Sequence, residues 1–344
     1  MPRTWLQLRG VTKNNLHEVD VPLGVFTSVT GVSGSGKSSL ISQVLVDLVA
    51  GRLGQALPEE EETEIDPLQD VYEGPVGGAI AGGMETIRRL VVVDQKPIGR
   101  PPRSNMATYT GLFDHVRKLF ASTKLARSRR YDAGRFSFNV GKGRCERCSG
   151  EGFVCVELLF LPSVYAPCPV CAGKRFNAAT LEVRYREKNV ADVLGMTVDE
   201  AANFFAEDPM VSRALVVLQE VGLGYLRLGQ PATELSGGEA QRIKLATELQ
   251  RIQRGDTLYV LDEPTTGLHP ADVERLMRQL HGLVVAGNSV VVVEHDMHVV
   301  AISDWIIDVG PGAGEDGGRI VATGTPEEIV RSKVSKTPPY LRSL

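Results

Sequence analysis

Residues 31–38 read GVSGSGKS and decide the fold, because they fill every specified position of a G-x-x-x-x-G-K-[ST] loop. A short β-prone run, TSVT at 27–30, precedes the loop, and SLISQVLVDLV at 39–49 follows it with apolar residues spaced as in a helix. Strand, glycine loop and helix in this order form the context that a polyphosphate-binding loop requires. The stretch therefore predicts an α/β nucleotide-binding core.

The residue types in this loop suit phosphate chemistry. Glycines allow successive backbone N–H groups to close around a polyphosphate, and the helix that follows adds the positive end of its dipole. We expect Lys37 to contact the outer phosphates and the Ser38 hydroxyl to bind Mg²⁺. A flexible Gly/Ser turn is the alternative, which the motifs further along the chain disfavour. The candidate binding residues are Gly31, Ser33, Gly34, Ser35, Gly36, Lys37, Ser38 and Ser39.

Length and composition indicate a soluble globular protein of one large domain or two. The chain has 344 residues, of which 42% are apolar and 23% are charged. The longest apolar runs, such as VVVV at 290–293, are far too short to span a membrane. Residues 1–20 lack the pattern of a signal peptide. We therefore expect a cytoplasmic protein without a membrane partner.

Charge is distributed unevenly along a chain whose net charge is only −4. Residues 59–73 hold eight acidic side chains and no basic one, and we predict a poorly ordered acidic loop at 51–85. Residues 117–147 hold ten basic side chains and two acidic ones, with Tyr131, Phe136 and Phe138 interleaved. Such a stretch is typical of a surface that binds and stacks on nucleic acid, and equally of a solvated basic face. The candidate DNA contacts are Lys124, Arg127, Arg129, Arg130, Arg135, Lys142 and Arg144.

Four of the five cysteines form two Cys-x-x-Cys pairs separated by 19 residues. In a cytosolic chain such pairs indicate a metal before a disulfide. Four thiolates favour a closed, tetrahedral, structural zinc site, with reduced cysteines or an iron–sulfur cluster as the alternatives. The segment between the pairs is predicted to be a hairpin, and Cys155 falls outside the pattern. The candidate zinc ligands are Cys145, Cys148, Cys168 and Cys171.

A second glycine turn, LSGGE at 235–239, precedes a helix-patterned run. Its backbone N–H groups and the helix dipole would form a second anion site from Ser236, Gly237, Gly238 and Glu239. A lone SGG is a weak signal, whereas LSGGEAQR downstream of a phosphate-binding loop is specific.

Polar side chains follow three apolar strand-like runs. Asp262 and Glu263 come after LYVL, and we expect Asp262 to hold Mg²⁺ through its water shell and Glu263 to polarise an attacking water. His295 follows a run of valines and can sense the γ-phosphate, and Gln95 follows VVV and could reach Mg²⁺ and the same phosphate. Singly, each is more often an ordinary surface or structural residue, and only the combination points to a hydrolytic site.

Together these motifs resemble those of an ABC-type ATPase. The cysteine pairs between the phosphate loop and LSGGE, with VDQKPIGRPPRSNMATYTG at 93–111 and GRFSFNVGKGRCERC at 134–148, narrow the resemblance. The chain resembles the C-terminal half of UvrA, the damage-recognition ATPase of bacterial nucleotide excision repair. Met106 and Pro102 stand where the family usually has Pro and commonly has Thr, which suggests a divergent paralogue, such as one serving drug self-resistance.

The resemblance implies an ABC-type core carrying a long inserted subdomain between phosphate loop and signature. We predict core segments at 1–110 and 234–344 and an insertion at 111–233. It implies ATP, Mg²⁺ and Zn²⁺ as cofactors, with Lys37, Gln95, Glu263 and His295 acting in hydrolysis.

The implied partners are double-stranded DNA, other excision-repair subunits and a second ABC module. The signature of one module closes over the phosphate loop of another, so the second module would come from a homodimer or a separate half-protein. The alternative is that the chain is a fragment. A transporter subunit, which gives no reason for a zinc site, and a non-repair regulator are the alternative functions.

Overall fold

A computed structural model describes residues 2, 4–11, 18–55, 77–99, 103–158, 161–251, 255–314 and 317–344. They fall into two compact units. Unit 1 comprises 1–94 and 252–344, and unit 2 comprises 95–251. These divisions differ from the domain boundaries drawn from the sequence, in that the signature segment groups with unit 2. The sequence-based domain division itself stays a prediction.

The first part of unit 1 is rich in strands. Its elements are β1 (Thr4–Arg9), β2 (Val19–Leu23), β3 (Phe26–Gly31), α1 (Val46–Leu53), β4 (Ala79–Gly82) and β5 (Arg89–Val93). A π-helical segment, Ser39–Leu45, leads into α1 and confirms the predicted helix. The predicted loop at 51–85 is wrong at both ends, because α1 extends to Leu53 and β4 pairs with β1. The acidic run at 59–73 lies outside the described residues.

Unit 2 is mostly helical. Its elements are α2 (Met106–Tyr109), α3 (Leu112–Ala121), α4 (Lys124–Ser128), β6 (Phe153–Leu158), β7 (Leu161–Pro167), α5 (Ala178–Leu181), β8 (Arg184–Tyr185), β9 (Lys188–Asn189), α6 (Val190–Gly195), α7 (Val198–Phe204), α8 (Pro209–Glu220) and α9 (Gly237–Leu249). Strands β6 and β7 pair antiparallel, which confirms the predicted hairpin between the cysteine pairs. Residues 180–186, TLEVRYR, have the sequence of a β-strand, but only Arg184–Tyr185 forms one. The start of this run belongs to α5, which Asn177 caps by accepting from the Thr180 N–H at 3.0 Å.

The chain then completes unit 1. These elements are β10 (Thr257–Asp262), α10 (Pro270–Val285), β11 (Ser289–Val293), α11 (Met297–Ala301), β12 (Trp305–Gly310), β13 (Arg319–Gly324), α12 (Pro326–Ile329) and α13 (Pro338–Leu341). Among the described residues, no helix of either unit is long and apolar enough to cross a membrane.

The main sheet of unit 1 brings the phosphate loop and the acidic pair to one edge. Its strand order is β13-β12-β3-β11-β10-β5, parallel except for β13. Strands β3, β10 and β11 are buried along almost their whole length, as expected for parallel strands covered on both faces. Because β11 lies between β3 and β10, the carboxyl ends of all three strands are neighbours. Ligands of open parallel sheets bind at such an edge.

Candidate functional site

The phosphate loop leaves β3 at Gly31 in a backbone conformation that only glycine adopts easily. Gly31 has φ of 139°, and a Cβ at this position would lie 2.0 Å from the Val309 carbonyl oxygen of the neighbouring strand. The loop then turns through Gly34 and Gly36, both at positive φ, and enters the helix. Close strand packing and a sharp turn therefore explain why glycine occupies these positions.

Lys37 is folded over the loop that carries it. Its Nζ donates to the carbonyl oxygens of Gly31 at 3.1 Å and Val32 at 3.0 Å, and the side chain is buried. Burial lowers the pKa of Lys37, while the nearby carboxylates of Glu263, Asp308 and Asp262 oppose that effect. The Lys37 ammonium group is hydrogen-bonded to two neutral carbonyl oxygens, and it can exchange them for the charged oxygens of a phosphate.

Glu263 and His295 contact each other at the ends of adjacent strands. Glu263 Oε1 lies 3.2 Å from His295 Nε2, and the Glu263 N–H donates to the Val293 carbonyl at 2.9 Å. Glu263 has φ of 44°, a conformation that non-glycine residues seldom adopt and that clusters at functional sites. Burial, followed by the charge of Glu263, raises the pKa of Asp262 beside it. Both side chains of the Glu263–His295 pair remain partly exposed, so a ligand can reach them.

These residues surround a single cleft of about 690 Å³ in unit 1. The loop after β12 contributes to its wall, since the Gly318 N–H donates to the Ser35 carbonyl at 2.8 Å. The structure thus brings together the phosphate loop, Glu263 and His295, although the roles assigned to them stay predictions. The cleft is lined by Ser33, Gly34, Ser35, Gly36, Lys37, Ser38, Ser39, Glu263, His295, Gly314 and Gly318.

The signature turn of unit 2 is a capped helix N-terminus. Ser236 caps α9: its hydroxyl accepts from the Glu239 N–H at 3.3 Å, and its own N–H donates to Glu239 Oε2 at 2.7 Å. The Tyr225 hydroxyl donates to Glu239 Oε1 at 2.6 Å. Burial works against the ionised Glu239, but hydrogen bonds from Tyr225 and Ser236 outweigh it and lower the pKa of Glu239. The anchor at Tyr225 was missed, because nothing in the sequence marks a residue eleven positions before the turn.

Gln95 lies beside the signature turn within unit 2. A Cβ added to Gly237 would come within 3.1 Å of the Gln95 Cβ, so the two segments approach each other closely. Gly238 continues the first turn of α9. The part assigned to Gln95 in hydrolysis stays a prediction.

The four paired cysteines form one buried cluster. Their sulfur atoms all lie within 4.8 Å of one another, with Cys145 Sγ 3.9 Å from Cys168 Sγ and Cys148 Sγ 3.7 Å from Cys171 Sγ. Sulfurs about 2.3 Å from a tetrahedral Zn²⁺ are separated by about 3.8 Å, so the cluster fits this ion. Cys155 lies outside it, exposed on the hairpin.

A buried guanidinium lies next to this cluster. Arg175 is 5% exposed, its Nη2 donates to the Gly229 carbonyl at 3.1 Å, and its backbone carbonyl accepts from the Cys145 N–H at 2.8 Å. Among the described residues, its Nη1 has no hydrogen-bond partner. Burial lowers the pKa of Arg175, while the thiolate of Cys148 is the largest opposing influence. A cation in this place balances the net negative charge of four thiolates around a divalent ion, which is a second sign that the cluster suits zinc.

The basic stretch is partly neutralised within unit 2. Arg129 Nη2 lies 2.5 Å from Glu182 Oε2, and Arg135 donates to Thr180 Oγ1 at 2.9 Å and stacks over Tyr131. Arg144 is half-buried. Arg129 is exposed but paired with Glu182, and the other exposed members of the candidate set are Lys124, Arg127, Arg130 and Lys142.

The expected stacking of Phe136 and Phe138 on nucleic acid is wrong. Both rings are fully buried, Phe136 beside Phe120 at 5.5 Å and Phe138 beside Phe113 at 5.3 Å between centroids. They belong to the core under α3, because removing an aromatic ring from water into a packed interior is favourable.

Comparison with known proteins confirms the resemblance seen in the motifs. No family model matches the chain. The UvrABC system protein A of Haemophilus influenzae is 51% identical over 344 residues, covering 99% of this chain and 35% of that protein. The same protein of Streptomyces coelicolor is 51% identical over 346 residues, covering 100% of this chain and 32% of that protein.

A solved structure gives the same result at the level of the fold. The crystal structure of UvrA2 from Deinococcus radiodurans superposes with a TM-score of 0.90 at 66% identity, covering 100% of this chain and 40% of that one. The predicted α/β ABC-type fold with its insertion is therefore confirmed. The chain spans about a third of the length of the curated relatives it matches.

Proposed function

We propose that this chain, which is related over its whole length to about a third of UvrABC system protein A, is an ATP-hydrolysing, DNA-binding protein of the damage-recognition type. The observation that carries the proposal is the cleft of unit 1, where a phosphate loop faces the Glu263–His295 pair. Such a cleft offers phosphate binding and water activation side by side.

The proposed chemistry assigns one task to each group. Backbone N–H groups of 33–38 and Lys37 hold the β- and γ-phosphates, with Ser38 and Asp262 as ligands for Mg²⁺. When bound, that ion would neutralise charge on the phosphates. Glu263 orients the attacking water and accepts its proton, while His295 hydrogen-bonds Glu263 and faces the γ-phosphate.

The signature turn belongs to the same proposal. Ser236, Gly237 and Gly238 present backbone N–H groups and a helix dipole that suit a γ-phosphate. In ABC ATPases this turn closes over the phosphate loop of another module. A second copy of this chain, or a separate half-protein, would then complete the site.

Nucleotide-dependent pairing gives the direct test. With Mg²⁺ and a non-hydrolysable ATP analogue, a species of twice the mass of the chain is expected in light scattering, and Ser236→Arg prevents it by placing bulk and charge in the turn. Thr197→Arg is the matched control, because Thr197 caps α7 with the same kind of capping box. Losing either cap is expected to lower the free energy of unfolding by about 1 kcal/mol. A Ser236→Arg variant that still pairs, or a wild type that turns over ATP as a lone monomer, contradicts the head-to-tail site.

DNA binding is proposed to use the exposed basic side chains of and around α4. Replacing Arg127 and Arg130 with Ala is expected to weaken duplex binding and reduce the slope of log K against log salt by about 2, since each phosphate contact contributes about 0.9. The control replaces Lys188 and Arg213, two exposed bases elsewhere in unit 2. Fluorescence anisotropy over a salt series measures both variants. An unaltered slope in Arg127→Ala/Arg130→Ala would remove this surface from the DNA interface.

A second candidate role is a UvrA-type paralogue acting in drug self-resistance or regulation. It is favoured by the higher identity to UvrA2, 66%, than to UvrABC system protein A, 51%. Binding to duplexes with and without a bulky lesion separates the two roles. Equal affinity for both duplexes favours the paralogue, and a preference for the lesion favours damage recognition. The zinc-type cluster has no counterpart in the task of a transporter subunit, which disfavours that alternative.

Partners and location follow from the same proposal. Work on damaged DNA would bring the chain together with other excision-repair subunits and place it in the cytoplasm.

A further inference from the structure

A buried acid, Glu294, stands between β11 and His295 and accepts four hydrogen bonds. It is 2% exposed. Its Oε1 accepts from the Thr265 hydroxyl at 2.7 Å and from the Thr265 N–H at 3.1 Å. Its Oε2 accepts from the backbone N–H groups of His295 at 3.1 Å and Asp296 at 3.4 Å. A buried carboxylate persists only with such partners, so this arrangement is strongly specified.

The two oxygens hold two different segments. Thr265 belongs to the tight loop that follows β10, in which the Thr266 N–H donates to the Glu263 carbonyl and the Leu268 N–H to the Thr265 carbonyl, each at 3.1 Å. This loop keeps Glu263 at its unfavourable positive φ. The other oxygen holds the backbone at the point where His295 leaves the sheet. A single carboxylate therefore links the strained loop to the strand end.

We propose that Glu294 is a positioning residue that sets the Glu263–His295 contact by tying the loop of Glu263 to the backbone of His295. Glu294 itself is buried, whereas Glu263 and His295 line the cleft, so it acts through them. Its effect on turnover rests on the proposed ATP hydrolysis. Its effect on the geometry of His295 does not.

Thr265→Val tests the link with a small change. The variant removes the hydroxyl that donates to Glu294 while keeping the shape of the side chain. Misplacing a reacting group by about 1 Å can cost about 100-fold in rate, so kcat is expected to fall about 10- to 100-fold while KM for ATP stays within about twofold.

Thr337→Val is the matched control. Thr337 is as buried as Thr265, at 5% against 7% exposed, and its hydroxyl also donates to a buried carboxylate, Asp308, at 3.0 Å. Both variants remove one buried hydrogen bond from a hydroxyl to a carboxylate. Similar melting temperatures with a loss of kcat in Thr265→Val alone separate positioning from stability.

Glu294→Gln makes the stronger change, because its amide NH₂ would face a backbone N–H in either orientation, that of Thr265 or those of His295 and Asp296. A larger loss of kcat than in Thr265→Val is expected, with folding checked by circular dichroism and by binding of a fluorescent ATP analogue.

The imidazole resonance of His295, assigned by its loss in His295→Ala, reports the geometry without turnover. It is expected to shift in Thr265→Val and to stay in place in Thr337→Val.

If the wild type hydrolyses ATP and Glu263→Gln does not, wild-type kcat in both Thr265→Val and Glu294→Gln overturns the positioning role and leaves the proposed function standing. If the wild type hydrolyses no ATP, the proposed function falls, and an unshifted His295 resonance in Thr265→Val still overturns the link.

Discussion

Glu263→Gln is expected to abolish ATP turnover and to leave nucleotide binding intact. The amide keeps the size of the side chain and still approaches His295, but it cannot accept a proton from water. Loss of a general base typically reduces the rate by about 10²- to 10⁴-fold, so kcat is expected to fall at least about 100-fold. The affinity for ATP is expected to stay within about threefold, because Lys37 and the backbone of the phosphate loop are unchanged.

Glu274→Gln supplies the control for the lost charge, since Glu274 is exposed on α10 of the same unit. Steady-state release of phosphate measures turnover, and a fluorescent ATP analogue measures binding. Turnover by Glu263→Gln at the rate of Glu274→Gln would remove Glu263 from the chemistry, while a joint loss of binding and turnover would show that the carboxylate supports the loop instead.

The candidate sites that consist of residues close together in the sequence could be predicted. The phosphate loop and the LSGGE turn each require glycine at fixed positions, and each stands beside an amphipathic or apolar run that identifies its element. The four cysteines were equally visible, because a Cys-x-x-Cys turn brings two sulfurs together locally.

The parts that depend on strand order could not be predicted. Glu263 and His295 meet because β10 pairs directly with β11, and no local pattern encodes that pairing. Glu294 follows the valine run with no local pattern to mark its role, and its partner Thr265 is 29 positions away. Phe136 and Phe138 lie among bases in the sequence, yet the packing of α3 buries them, so linear proximity suggested the wrong environment.

The second large effect is expected at the zinc-type cluster, because the metal ligands themselves form a buried cluster within the module. Among the described residues, its buried apolar cluster consists of the four cysteines, with Val154 packed against them. Burial raises the pKa of Cys171 to about 12 and also raises that of Cys148, whereas a hydrogen bond from the Cys171 backbone N–H lowers the pKa of Cys168 to about 7. Zinc binds cysteine as the thiolate, so the positive charge of the ion would favour the ionised form of all four side chains. Structural zinc contributes about 10–16 kcal/mol of apparent binding free energy in small zinc modules, which here would be free energy of folding.

Cys168→Ser is therefore expected to lose its metal and unfold the module while sparing unit 1. Bound zinc falls from about one equivalent to near zero by elemental analysis, and amide hydrogen exchange rises across 143–177. Cys155→Ser is the matched control, because Cys155 is exposed on the hairpin and outside the cluster. Binding of a fluorescent ATP analogue stays within about threefold in both variants, since the cleft lies in a unit with its own sheet and core. Full zinc content in Cys168→Ser, or its loss in Cys155→Ser, would mean that the four buried sulfurs do not bind the ion, and the buried charge of Arg175 would then need another explanation.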